Sequence, residues 1–195
     1  VGRTIKNANP QTAADAYQYA IAQRKDANIR YLVAQSKIRS SALESATVQE
    51  FIEMLRQIKA DQKGYAVDNI EVSAFASPEG TLRFNTKLAE DRQKSSQQYL
   101  SGEMKNIGLN GYVEGQYTAE DWEGFQELVA QSNIQDKDVI LHVLSMYDDP
   151  EERERRIRDL SVAFQDLAQE ILPELRRARP TINYNVIGRS DAEIA

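Results

Sequence analysis

The stretch Ile70-Glu71-Val72-Ser73-Ala74-Phe75-Ala76 runs straight into Ser77-Pro78-Glu79-Gly80, and then into a long polar segment that holds Asn85, Leu88 and Arg92. An apolar strand has to stop there, because Pro78 has no amide to give to a ladder. The turn then hands the chain to a helix. A strand, a tight turn and a helix in this order call for a sheet with helices laid on it, which buries the apolar side of each element against the other.

The flanking sequence extends that pattern. Ile29, Tyr31 and Val33 alternate with Arg30, Leu32 and Ala34, which predicts a strand over about 29–38. Residues 1–26, with Gly2, Asn7, Asn9 and Pro10 followed by an Ala- and Tyr-rich stretch, read as a lead-in segment. Thr47-Val48-Gln49-Glu50 matches a capping box, and Val48, Phe51, Ile52, Leu55 and Ile58 then recur at helical spacing up to Gly64. The second strand is expected near 69–76 and a second helix over about 84–105, with Leu88, Tyr99 and Leu100 inward. Tyr112 to Tyr117 reads as a short strand.

A helical block is expected next. Thr118-Ala119-Glu120-Asp121 is a second capping box, ahead of Trp122, Phe125, Leu128 and Val129 on one face. Val139 to Met146 is apolar nearly all round and is expected to be buried. Asp149-Pro150-Glu151-Glu152 is a strong helix start, with an N-cap carboxylate, Pro at the first helical position and acids against the positive dipole end. That helix is expected to carry Ile157, Leu160, Phe164, Leu167 and Ile171 inward until Pro173 breaks it. A last strand covers Thr181 to Val186. The expected fold is α+β: a mixed sheet with helices on one face and a helical insertion over about 118–172, all within a domain spanning 27–195.

Composition removes several function classes. With 195 residues, 41% of them hydrophobic, the chain can build a real core. A net charge of -6 with both signs interspersed argues against nucleic-acid binding, which needs a concentrated basic face. The absence of cysteine excludes disulfides, thiolate catalysis and Cys-ligated metals. No apolar run reaches the length of a membrane span, and a start at Val1 without a signal peptide fits a mature form or a fragment. No Gly-x-Ser-x-Gly elbow, phosphate loop, His-Glu-x-x-His helix or dinucleotide fingerprint occurs. No enzymatic reading, cofactor or metal is therefore expected.

The strand, turn and helix of the first paragraph resemble the signature segment of the OmpA-like, peptidoglycan-associating domain family. Ala74-Phe75-Ala76-Ser77 matches the family's Gly-x-Thr-Asp-like turn, and Asn85-Thr86-Lys87-Leu88-Ala89-Glu90-Asp91-Arg92-Gln93 its Asn-x-x-Leu-Ser-x-x-Arg-Ala-like helix. Arg177-Ala178-Arg179 ahead of Ile182 resembles the basic pair before the family's last strand. The Ser-Pro-Glu-Gly turn and the long helical insertion are similar to OmpA-like proteins of Bacteroidetes envelopes, where the domain often follows a lipoprotein anchor.

The resemblance implies a periplasmic, outer-membrane-associated, non-enzymatic domain that attaches to or organises peptidoglycan. It also implies a clamp for the zwitterionic end of diaminopimelate in the stem peptide. In the family the turn Asp takes the ammonium and the helix Arg the carboxylate, with two helix-start amides assisting. Here Arg92 is present, but Ser77 stands at the Asp position, and losing half of a paired charge site costs about 2 to 5 kcal/mol of binding. Glu79 is the candidate replacement carboxylate, Asn85 closes the helix start, Arg179 is a possible second cation, and Ser77→Asp is expected to restore the ammonium partner. The alternative is a protein-interaction module on an OmpA-like scaffold that has lost peptidoglycan binding, with other envelope proteins as partners.

Plainer roles stand beside these. Arg92 could pair with Glu90 or Asp91 on a solvated face, and Asn85 could simply cap its helix. His142, the sole histidine, reads as a buried, hydrogen-bonded core residue. Trp122 reads as a core anchor or an exposed partner contact, and the charge run Glu151 to Arg158 as a solvated face with ion pairs.

Overall fold

The structure, a computed structural model, describes residues 19–188, so most of the expected lead-in lies outside the described residues. In chain order the elements are β1 (Ala20–Asp26), β2 (Ile29–Arg30), α1 (Ser40–Leu43), α2 (Ala46–Ala60), β3 (Tyr65–Phe75), α3 (Leu82–Ile107) and β4 (Val113–Thr118). Then come α4 (Trp122–Gln131), α5 (Lys137–Met146) and α6 (Pro150–Arg158). The helical segments Ser161–Asp166, Leu167–Ile171 (π-helical) and Leu172–Leu175 run on as α7, and β5 (Arg177–Ile187) closes the chain. Among the described residues this is an α+β fold with a five-stranded mixed sheet and seven helices.

The strand order is β1-β5-β3-β4, with β2 also on β5. β5 is antiparallel to β1, β2 and β3, whereas β4 is parallel to β3. A parallel pair needs a crossover, and α3 supplies it. Ile70, Val72 and Ala74 alternate toward one face and meet Ala178, Ile182 and Tyr184 of β5. Over them lie Val48, Phe51, Ile52, Leu55 and Ile58 of α2 and Leu100 and Met104 of α3, so both helices share the expected face.

Several local expectations are corrected. The strand expected over 29–38 is only Ile29–Arg30: Ile29 and Tyr31 are buried, but Val33 is 55% exposed and Ala34 turns the chain with φ 58°. The long strand is instead β1, at the end of the segment read as a lead-in. Ser45, not Thr47, caps α2 by accepting from the Val48 amide, while Thr47 Oγ1 accepts from the Asn28 amide. Asp121, not Thr118, caps α4, accepting from the Gly124 amide at 2.9 Å, because Thr118 still belongs to β4.

The insertion runs from Trp122 to Leu175 and builds a core of its own, apart from the sheet core. Phe125, Val129, Ile140, Leu144, Ile157, Leu167 and Leu172 form it, with Trp122 and Val143 packed against it. Phe164 does not join this cluster; it is half-buried, with the Arg158 guanidinium 5.6 Å from its ring centre. α5 is not buried all round: Ile140 and Leu144 face inward, Val139 and Met146 are exposed, and so is His142, contrary to expectation.

Asp149 does cap α6, with Pro150 in the first turn. The expected single helix after it is interrupted at Asp159 and Leu160. Pro173 sits two residues before the helix ends, directly after the π-helical turn, which relieves the hydrogen bond that its missing amide cannot make. Among the described residues no helix is long and apolar enough to cross a membrane.

Candidate functional site

The site is the passage from β3 into α3. The Ala76 amide donates to Thr118 O and the Asp121 amide to Ala76 O, which holds the strand end against β4 and the start of the insertion. Pro78 then ends pairing, and Gly80 turns the chain with φ 82°, a left-handed conformation that costs other residues a steric penalty. Thr81 caps α3 by accepting from the Phe84 amide at 3.2 Å. Asn85 is thus not the cap. It opens the buried face of α3, which continues through Ala89, Arg92, Ser96, Leu100 and Met104.

Arg92 is fully buried. Its Nε donates to Gln35 O at 2.9 Å, Nη1 to Phe75 O at 3.0 Å and Nη2 to Leu32 O at 3.2 Å, and the guanidinium lies 5.0 Å from the Tyr31 ring centre. Neither Glu90 nor Asp91 is its partner: each pairs with a lysine one turn away, Lys94 and Lys87 respectively. Burial brings the Arg92 pKa down to about 10, against the opposing pull of Tyr31 and Glu79. The same burial pushes the Tyr31 phenol up. Tyr31 OH donates to Arg92 O at 3.2 Å, so loop, strand end and helix are joined through one residue.

Glu79 is also engaged. Arg176 grips it with two parallel hydrogen bonds, Nε to Oε1 at 2.8 Å and Nη2 to Oε2 at 3.1 Å, and Ser77 Oγ donates to Oε1 at 2.6 Å. Burial works to raise the Glu79 pKa, but the hydrogen bonds from Arg176 and Ser77 and the charges of Arg176 and Arg92 outweigh it and hold the carboxyl below its usual range. Ser77 itself is buried.

On the other side of the turn, Asn85 Nδ2 donates to Glu120 Oε1 at 3.3 Å and Trp122 Nε1 to Glu120 Oε2 at 2.9 Å. Burial pushes the Glu120 pKa up, with those two hydrogen bonds opposing and Glu151 and Asp149 adding to the rise. Glu154 of α6, paired with Arg158, faces the Gly80 backbone across the turn; burial pushes its carboxyl up, with Arg158 and the Gly80 backbone opposing. The insertion therefore brings carboxylates of α6 beside the start of α3. Between them runs an open cleft of about 470 Å³, bounded by Gly80, Thr81, Glu151, Glu154, Arg155, Arg158 and Asp159.

Four of the five expected site residues, Ser77, Glu79, Asn85 and Arg92, thus gather at one turn. Arg179 does not join them. It lies opposite Ser73 on β5, with its side chain on the face away from α3, 5.6 Å from the Phe75 ring centre. There it borders a cleft of about 190 Å³ with Arg30, Arg177, Glu127 and Glu174. Arg177 on that face lies 3.1 Å from Asp121 Oδ2, an ion pair angled too poorly for a hydrogen bond.

Sequence reasoning missed Arg176, Glu120 and Tyr31. Arg176 directly precedes Arg177-Ala178-Arg179 in sequence, but nothing in that order says which arginine reaches the turn. Among the described residues no three His, Asp or Glu side chains are placed to hold a metal ion. No protein-family model matches the chain, and no curated protein matches it.

Proposed function

We propose that this chain is a non-enzymatic cell-envelope domain on an OmpA-like frame, periplasmic and associated with the outer membrane, that works as a protein-interaction module and not as a clamp for stem peptides. The family reading rests on the strand, Ser-Pro-Glu-Gly turn and Asn85-to-Arg92 helix, with β5 beside β3 and α2 and α3 on one face of the sheet. The observation that carries the module reading is the state of Arg92. All three of its guanidinium nitrogens donate to backbone carbonyls of the chain itself, with no exposed surface left for a ligand carboxylate.

The other parts of a clamp are occupied too. Glu79, the stand-in for the missing Asp, is held by Arg176 and by the Ser77 hydroxyl. A zwitterion would have to displace both the Arg92 and the Glu79 contacts, which are charge-assisted.

One observation favours the second reading, attachment to peptidoglycan. The Glu79 and Arg176 side chains keep 26% and 16% of their surface exposed, so the ammonium and carboxylate of diaminopimelate could exchange into that pair without opening Arg92. Calorimetry with a diaminopimelate-containing tripeptide separates the two. The module reading expects no heat of binding at millimolar peptide. Binding that is lost in Arg176→Gln establishes the exchange reading instead.

A further inference from the structure

A second polar cleft, of about 330 Å³, lies away from the turn, between β2, α1 and the start of α2. Asn28, Arg30, Arg39, Ser41, Ser45 and Thr47 line it, and none of its lining residues is acidic, in a chain of net charge -6. Arg39 has no ion pair or hydrogen bond from its side chain among the described residues, and its Nε is buried without a partner. The terminal nitrogens of the Arg39 guanidinium carry no hydrogen bond among the described residues either, so they can donate to an acceptor in the cleft. Arg30, the second cation, pairs with Glu174, which stands outside this cleft.

The hydroxyls are poised to donate. Ser45 Oγ accepts from the Val48 amide and Thr47 Oγ1 from the Asn28 amide, so the proton on each hydroxyl remains available to a ligand. Ser41 adds a third hydroxyl. The amides of Ala46 and Thr47 belong to the first turn of a 15-residue helix and have no acceptor within it, and the positive dipole end points the same way. Asn28 Oδ1 is buried and unbonded, and a turned carboxamide offers Nδ2 in its place.

We propose that this cleft is a binding site for a phosphate-type oxyanion, with Arg39 as its principal charge, Arg30 at the rim and the three hydroxyls as neutral donors. The volume exceeds that of a bare phosphate, so a phosphomonoester fits, whether on a small soluble molecule or at the head of a lipid. The site is independent of the turn at Ser77 and of the function proposed for it.

The test is a titration of the full chain, followed through backbone amide resonances, with inorganic phosphate, with glycerol 3-phosphate, and with sodium chloride at matched ionic strength. The expected result is a saturable shift of Ala42, Ala46 and Thr47 with either phosphate compound but not with chloride. Affinity should fall about tenfold or more in Arg39→Gln, and by less in Arg30→Gln, with the rest of each spectrum unchanged. Co-sedimentation with phosphatidic acid vesicles against phosphatidylcholine vesicles identifies the source: vesicle binding lost in Arg39→Gln marks a lipid headgroup, and glycerol 3-phosphate binding without it marks a soluble monoester. Absence of saturable shifts with both phosphate compounds and of vesicle binding overturns the proposal. Binding retained in a folded Arg39→Gln variant overturns it equally.

Discussion

Replacing Arg92 by alanine separates a ligand-binding arginine from one that holds the fold. A solvent-facing ligand arginine loses little stability on truncation, within about 0.5 kcal/mol for a surface position. Arg92 is fully buried and ties Leu32 and Gln35, from the loop after β2, to Phe75 at the end of β3. On truncation the loop carbonyls can move out to water, but Phe75 O stays inside, and one stranded buried acceptor costs about 1 to 3 kcal/mol. Loss of the stacking on Tyr31 adds about 1 kcal/mol, and loss of the buried alkyl stem about 1 to 2 kcal/mol more.

The expected destabilisation is therefore about 3 to 6 kcal/mol, or about 6 to 24 °C in Tm for a chain of this size. Arg92→Lys should recover only part of it, since one ammonium cannot reach three carbonyls spread around a planar fork. Urea unfolding followed by circular dichroism measures both variants. A loss below about 1 kcal/mol in Arg92→Ala would refute the reasoning and return Arg92 to the role of a ligand contact.

Further outcomes follow from the same contacts. Glu79 is held below the usual carboxylate range, so its pairing with Arg176 adds stability above the unfolded carboxylate's pKa and loses it as pH falls through the folded value. The stability difference between the parent chain and Glu79→Gln, measured by urea titration, should be present at pH 7 and gone in strong acid; a difference that does not change with pH contradicts the pairing. Ser77→Asp sets a second carboxylate into a buried position beside Glu79 and should destabilise by about 2 to 4 kcal/mol at neutral pH, with partial recovery on acidification, instead of creating an ammonium site. Equal stability of this variant at pH 7 would count against the arrangement of the turn. Phe125→Ala, at the centre of the insertion core, should cost about 3 to 5 kcal/mol locally. Hydrogen exchange should then speed up in α4 to α7 while β3 and β5 stay protected; uniform loss of protection would mean that the two cores unfold as one.

The elements that sequence periodicity located are those with one wet and one dry side. β3 and β5 alternate, α2 carries a full apolar stripe, and Asp149-Pro150 marks the start of α6 by chemistry that needs no tertiary partner. β1 was not legible because nearly all of it is exposed. It is a strand through the backbone bonds of β5, which no side-chain pattern reports. Ile29 and Tyr31 gave the reverse error, since their burial beside β5 mimics a strand that the left-handed turn at Ala34 cuts short. His142 sits between the inward Ile140 and Leu144, and an apolar neighbourhood in sequence placed it inside when the helix turns it out.

At the site, the spacing of Ser77, Glu79, Asn85 and Arg92 in one strand-turn-helix unit already places them near one turn. Their partners were not visible, because Arg176 lies 97 residues from Glu79 and the acceptors of Arg92 are backbone carbonyls with no residue signature. Arg179 was misplaced by alternation along β5, which sends its side chain to the opposite face from Ala178.

The claim that matters most is that the turn at Ser77 is closed on itself. Co-sedimentation of the full chain with purified diaminopimelate-type peptidoglycan sacculi tests it in one step. The account predicts that the protein stays in the supernatant at physiological salt. Sedimentation with the sacculi that is competed off by the free tripeptide and abolished by Arg176→Gln would contradict it, and would make the Glu79 and Arg176 pair a peptidoglycan clamp.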